Sequence, residues 1–366
     1  MMFEELVTKD VAALVPYPPG KPLEELEREL GIAGAVKLAS NENPLGPSPL
    51  AQAAMLKALT GLHRYPDGRG WYLKQALAGR LGVNMDQIVL GNGSNEIIEL
   101  CVRTFLQPPL EAIFSDPTFL VYAKIVQAAA CTMKRVPLKN LRHDLPALAR
   151  SITEHTRLLF LDNPNNPTGS FLSAGELKPF LADLPAGVIV VLDEAYVDFV
   201  RDGELLDPRT LIQSDRPVVI LRTFSKAYGL AGLRVGFGLA HRELVDYLDR
   251  VRQPFNVNTL AQVGALAALD DQEFYQKTRT IVWSGLNWLK PELEKLGLKV
   301  YPTQTNFLLI ELDRPVREIS QALLRLGVIV RSLDSYGLDR FIRVNAGLPE
   351  ENARLIEALK KVLDRF

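Results

Sequence analysis

Cysteine is almost missing from this chain: of its 366 residues only Cys101 and Cys131 carry a thiol. They form no C-x-x-C pair and have no neighbouring histidine, which excludes a disulfide framework and a thiolate metal site. Both lie in apolar surroundings, ELCVRTF and AAACTM, and are expected to be inert core thiols. An excess of charge is lacking as well. Lys and Arg number 42 against 43 Asp and Glu, a formal charge of -1, so the chain has no field to draw in nucleic acid or an acidic membrane. A small-molecule partner is the default. No stretch of about 18 uncharged apolar residues occurs. The opening MMFEELVTKD has acids where a secretory leader has a basic region and an apolar run. The expected location is the cytoplasm. Repeats and low-complexity segments are absent.

What is present is 47% apolar and 23% charged residues, enough at this length to bury a sizeable core split between two domains. From about residue 86 to 240 the short apolar runs QIVL, AIFSD, RLLFLDN, VIVVLDE, PVVILRTF and LRVGFGLA alternate with amphipathic stretches. That rhythm predicts an α/β fold with a mostly parallel, doubly wound sheet. Runs such as VIVVL do not alternate with polar residues, as expected of strands covered by helices on both faces. Ligands of such sheets collect beyond the carboxyl ends of the strands. The first 40 residues, with proline-rich VPYPPGKP ahead of a helix at about 23 to 30, read as an arm. Beyond 255 come long helical segments (260 to 298, 315 to 326, 350 to 365) around the candidate strands FLLIEL, VIVRSL and FIRVNA. The expected division is therefore 1–40 as an arm and part of the small domain, 41–255 as a large cofactor-binding domain, and 256–366 as a small α+β domain.

Four segments carry chemistry, and all fall at predicted strand ends. GNGSNE (91–96) follows QIVL and opens an apolar-periodic helix. Its glycines allow close approach, and the free N–H groups at the helix start favour a phosphate. A dinucleotide fold competes here, since Gly91 and Gly93 supply two of its glycines and Asp116 ends the next strand, although Glu96 replaces the third glycine. A plain glycine turn would use the same letters. DNPNNPTG (162–169) must be an irregular loop, from which Asn166 could reach a ligand or serve as a turn former. Asp193 follows five apolar residues, where a carboxylate needs a cationic partner, either an arginine or a protonated cofactor ring nitrogen. Lys226 lies in RTFSKAYGLAGLRVGF, after PVVIL, among Gly229 and Gly232, where a cofactor or another backbone could come close. Desolvation there would depress its pKa and free the amine as a nucleophile; a surface lysine is the ordinary alternative. Together the four supply what pyridoxal 5'-phosphate (PLP) chemistry requires: a nucleophilic lysine, a carboxylate for a pyridinium, an amide for a phenolic oxygen and a phosphate cup.

In this order the segments VPYPPGKP, KLASNENPLGPSP, HRYPDG, GNGSNE, DNPNNPTG, LDEAYVDF, LRTFSKAYGLAGLRVGF, VIVRSL and FIRVNAG resemble the fold-type I PLP-dependent aminotransferases over nearly the whole chain. Within them they resemble the histidinol-phosphate aminotransferase branch. The resemblance implies the fold-type I PLP-transferase fold. It implies that Lys226 binds the cofactor and moves the substrate proton, that Asp193 pairs with the pyridinium, and that Asn166 and Tyr196 bond the phenolic oxygen. Phe119 would stack on the ring, where some relatives use Tyr. Gly93, Ser94, Asn95, Thr223, Ser225 and Arg234 would hold the phosphate; relatives often read Ala-Asp where this chain has Ser94-Asn95. Tyr17, Asn43, Asn166, Arg331 and Arg343 would meet the substrate, with Tyr65 reaching over from a partner subunit of a homodimer. The implied substrates are histidinol phosphate and glutamate or 2-oxoglutarate. Threonine-phosphate decarboxylation and aromatic transamination on the same scaffold, and a nicotinamide-dependent oxidoreductase built on GNGSNE, stay open at this point. A regulator with an aminotransferase-like domain is disfavoured, because the roughly 40 residues before the core motifs lack basic clustering.

Overall fold

A computed structural model describes residues 3–16, 20–214 and 216–365. Its largest element is a seven-stranded sheet in the order Ile88–Gly91, Gly236–Ala240, Val218–Thr223, Ile189–Asp193, Thr156–Asp162, Glu111–Asp116, Thr132–Pro137. Only Gly236–Ala240 runs against the others. The unbroken apolar runs have a direct cause. Val218 and Ile220 enter a core on one face of the sheet, while Val219 and Leu221 enter a core on the other. Helices Trp71–Leu81, Ala174–Asp183 and Thr259–Asp270 close the first face; Ser94–Phe105, Val121–Ala128 and Arg242–Val251 close the second. Each fully buried aliphatic side chain contributes about 1.5–3 kcal/mol, so a polar residue mid-strand would forfeit that on either face.

One strand of this sheet was not among the sequence expectations. Thr132–Pro137 (TMKRVP) forms the sheet edge, with only Val136 buried, Arg135 exposed and Lys134 donating to Glu111 of the neighbouring strand at 2.8 Å. Charges on an edge strand oppose further pairing and erase the apolar signature by which strands are read.

A second sheet is antiparallel, in the order Arg331–Ser332, Phe341–Asn345, Phe307–Glu311, Lys299–Val300. The run VIVRSL, expected as one strand, divides. Val328–Ile329 pairs in parallel with Val36–Lys37, and Arg331–Ser332 joins the second sheet. The segment expected to be helical from 260 to 298 also divides, at Asp271. Its carboxylate accepts from the N–H of Phe274 (3.2 Å) and from Ser48 Oγ (2.6 Å), capping the new helix Gln272–Lys295. Ala261, Ala265 and Leu269 pack into the core of the large sheet, whereas Val282, Leu286, Leu289 and Leu293 pack against the small one. The apolar face thus changes core at Asp271, inside the segment 256–366 expected as the small domain.

Candidate active site

Parallel register brings the carboxyl ends of the central strands level. Asp162 pairs with Asp193 across two strands, and Gly91, Gly236 and Thr223 align across three others. Beyond these ends lies a cavity of about 250 Å³, at the edge where open α/β sheets collect ligands.

Lys226 reaches this cavity from the loop after Val218–Thr223. Its Nζ donates to the carbonyl of Ser40 at 3.3 Å and lies 5.6 Å from the centre of the Tyr196 ring. Burial, with the positive charges of Arg343 and Arg234, lowers its pKa from 10.5 to about 8, so a neutral amine is within reach near physiological pH. The two glycines near it differ. Gly229 has φ +70, and a Cβ there would stand 2.0 Å from the carbonyl oxygen of Gly46, so a second backbone strand of the protein requires it. Gly232 faces open space.

Asp193 meets the opposite wall, 4% exposed. Its carboxylate accepts from Tyr122 Oη (2.9 Å) and from the N–H of Ala195 (3.0 Å). Among the described residues no cationic side chain pairs with it. Burial and the neighbouring charge of Asp162 push its pKa up to about 7. An arginine partner, the ordinary explanation for such a residue, is therefore not what the fold supplies. The carboxylate faces a cavity in which a cation would restore its ionised form.

The third wall is a cup of donors. Helix Ser94–Phe105 opens with Gly93 at φ +76, which carries no capping side chain, so the first-turn N–H groups have no intrahelical partner. A Cβ on Gly93 would meet the Arg234 guanidinium at 2.5 Å. Ser94, Asn95, Thr223, Ser225 and Arg234 all line the cavity here. Thr223 Oγ1 donates to Ser225 Oγ at 2.9 Å, and Arg234 Nη1 lies 3.4 Å from the same oxygen. Backbone dipole, hydroxyls and guanidinium converge as an anion site does.

Asn166 and Tyr196 line the space between these walls, with Phe119 at its rim. The Asn166 side-chain oxygen accepts from Arg343 Nη1. Tyr196 Oη accepts from Asn41 Nδ2 at 2.8 Å, which leaves its own hydrogen to donate. Arg343 also donates to the carbonyl of Ala39 (2.8 Å), while its buried Nε has no hydrogen-bond partner. Arg331 stands opposite it on the adjacent antiparallel strand, and both are buried.

Other expected residues lie elsewhere. Asn43, Arg331 and Arg343 are not among the residues that line the cavity; Asn43 Nδ2 donates to the carbonyl of Ala227 (3.0 Å) and to Thr278 Oγ1 (3.1 Å), which anchors the lysine loop. Tyr65 is 82% exposed and stacks on Phe255, 4.8 Å between ring centres. Tyr17 lies outside the described residues. Asp116 is separated from the GNGSNE strand by four others and lies 3.8 Å from Arg135, so the dinucleotide pairing of those glycines with an acid on the adjacent strand is absent. Four participants were not singled out from the sequence: Ser40, Glu42 and Asp162 in the wall, and Tyr122 behind Asp193. The segments KLASNENP and DNPNNPTG pointed to the first three by position; nothing pointed to Tyr122.

The model of the family "Aminotransferase class I and II" matches residues 33–359. The chain belongs to the class I and II aminotransferases. Among members of this aminotransferase family, it is 49% identical over 360 residues to histidinol-phosphate aminotransferase of Desulfotalea psychrophila, covering 98% of this chain and 95% of that one. It is also 49% identical to histidinol-phosphate aminotransferase 2 of Pseudomonas fluorescens, with 99% of each chain covered. The aminotransferase fold matches the crystal structure of histidinol-phosphate aminotransferase from Sinorhizobium meliloti in complex with pyridoxal-5'-phosphate, at a TM-score of 0.89, 28% identity and 98% coverage of both chains.

Proposed function

We propose that this chain is a PLP-dependent transaminase that exchanges an amino group between L-histidinol phosphate and 2-oxoglutarate, giving imidazole acetol phosphate and glutamate, as a step of histidine biosynthesis. One observation carries the reading. A buried carboxylate without a cation, Asp193, and a lysine with pKa near 8 face each other across a cavity whose third wall is an anion cup. PLP has a group for each: a ring nitrogen, an aldehyde and a phosphate.

When bound, the cofactor supplies an electron sink for the charge left at the substrate carbon that loses its proton. The protein does the rest. Lys226 would hold the cofactor through its Nζ; once the substrate amine takes its place, the freed Nζ would accept the proton from the amine-bearing carbon of the substrate and later give it back, as base and then acid. Its depressed pKa suits both duties. Asp193 holds positive charge on the ring nitrogen, and its own pKa falls once that cation faces it. Tyr122 steadies this carboxylate. Ser94, Asn95, Thr223, Ser225 and Arg234 take the phosphate, and Asn166 and Tyr196 take the phenolic oxygen. Phe119 offers a ring face. Arg343 and Arg331 receive the substrate anion, a phosphate in one half-reaction and a carboxylate in the other, for which planar guanidinium groups are suited.

A homodimer is part of this proposal. Leu56, Leu59, Leu62, Tyr65, Trp71 and Tyr72 leave large apolar groups exposed along one short segment, the kind of patch that a partner covers. Tyr65 would then reach the partner's substrate. Among the described residues no helix is long and apolar enough to cross a membrane, and the cytoplasm is the compartment we assign.

Borohydride treatment of PLP-loaded protein followed by peptide mapping should place a pyridoxyl label on Lys226; an unlabelled Lys226 removes the basis of the proposal. Histidinol phosphate should shift the cofactor absorbance band and turn over with 2-oxoglutarate. In the same assay panel, carbon dioxide from threonine phosphate would point to decarboxylation, and phenylalanine turnover exceeding that of histidinol phosphate would point to an aromatic transaminase.

A further inference from the structure

Glu96, at which GNGSNE departs from a dinucleotide fingerprint, has no role in the reading above, yet it lies in the first turn of the helix that forms the cup. A carboxylate there competes with a bound anion for the same donors and the same dipole. Its hydrogen bonds remove the conflict. Oε2 accepts from the backbone N–H of Asn92 at 2.5 Å and from Asn256 Nδ2 at 2.6 Å. The backbone donor it uses comes before Gly93, so the N–H groups of the first turn are left for an anion.

The carboxylate also fastens the loop to a second segment. Asn256 donates to the carbonyl of Leu90 (3.1 Å) and accepts from Arg252 Nη1 (2.7 Å). The loop between Leu90 and Ser94 is thus tied to residues 252–256. There is little slack in it: a Cβ on Gly91 would stand 2.8 Å from the carbonyl oxygen of Gly93. A shift of Asn92 therefore moves Gly93, and with it the register between the first-turn donors and the Arg234 guanidinium.

We propose that Glu96 is a positioning residue for the cofactor phosphate, holding the Asn92–Gly93 turn so that the helix N–H groups and Arg234 converge on one anion. The proposal rests on the cavity being a PLP site. Its test is equilibrium binding of PLP and of pyridoxal, which lacks the phosphate, to the apo-protein, followed by the cofactor absorbance band. Glu96→Ala should weaken PLP binding about ten- to hundredfold, as loss of hydrogen bonds to a charged group implies, and leave pyridoxal binding within about twofold. Glu96→Gln keeps an oxygen for the Asn92 N–H and should recover most of the PLP affinity. Asn256→Ala leaves the carboxylate but removes its anchor, and should give a smaller loss, again for PLP alone; it carries the test should Glu96→Ala not fold. Unchanged PLP affinity in Glu96→Ala, or equal losses of PLP and pyridoxal, overturns the proposal. Wild-type protein that binds neither ligand overturns the PLP reading itself.

Discussion

Replacing Asp193 with Asn should make the apo-protein more stable while crippling its hold on the cofactor. The carboxylate is 4% exposed, and its pKa is pushed from 3.8 to about 7 by burial and by Asp162. The difference, at ~1.4 kcal/mol per pH unit, makes the ionised side chain cost about 4 kcal/mol that the neutral form does not. The sign follows from proton binding. Between pH 3.8 and about 7 the folded state keeps a proton on Asp193 that the unfolded chain has released, so the wild type loses stability as pH rises through that window. Asn resembles the neutral acid and escapes this loss. Urea unfolding of both apo-proteins should therefore show a gap in favour of Asp193→Asn that widens by about 2–3 kcal/mol between pH 5 and pH 8. With PLP present the order should reverse, because the pyridinium stabilises the charge that burial opposes. A variant less stable than wild type at pH 8 without cofactor, or a gap independent of pH, refutes the account of Asp193 as a carboxylate awaiting a cation.

Cofactor uptake should follow the lysine: the rate of PLP attachment to apo-protein should rise about tenfold per pH unit below a midpoint near 8 and level off above it, and a midpoint near 10.5 in stopped-flow absorbance contradicts the environment described for Lys226. Arg343→Lys removes the planar fork, and should raise the KM for 2-oxoglutarate about a hundredfold while the cofactor band stays in place; an unchanged KM excludes Arg343 as the anion receptor. For the homodimer, mixing a Tyr65→Ala chain with a Lys226→Ala chain should yield hybrid dimers with one intact site, detected as activity that neither parent shows; no recovery in verified hybrids refutes a shared site.

The parts of this molecule that are legible in the sequence share a property: their signal is local. An unbroken run such as VIVVL marks a strand covered on both faces, because each of its side chains must enter one core or the other, and the residue at its carboxyl end is then placed without knowing the neighbouring strands. Asp193 and Lys226 were found in this way, Thr223 came only with the family resemblance, and register brings all three to one cavity. The split of VIVRSL and the break at Asp271 were hidden because two short elements in tandem keep a continuous apolar pattern while changing partners, Val36–Lys37 for one half and Phe341–Asn345 for the other. Tyr122 was hidden for a different reason. It lies 71 residues from Asp193, in a helix whose apolar positions look like any other, and only its hydroxyl hydrogen bond distinguishes it from a packing residue. Asp162 bonds the backbone of Asn166 within its own loop, but it also accepts from Thr118, a partner 44 residues away that the loop does not announce. A buried polar group is obliged to find a partner, but the obligation does not say where along the chain the partner lies. The chemistry-bearing residues at strand ends can therefore be read one segment at a time, whereas the residues that tune them belong to pairs, and a pair is defined only once the sheet has brought its two segments together.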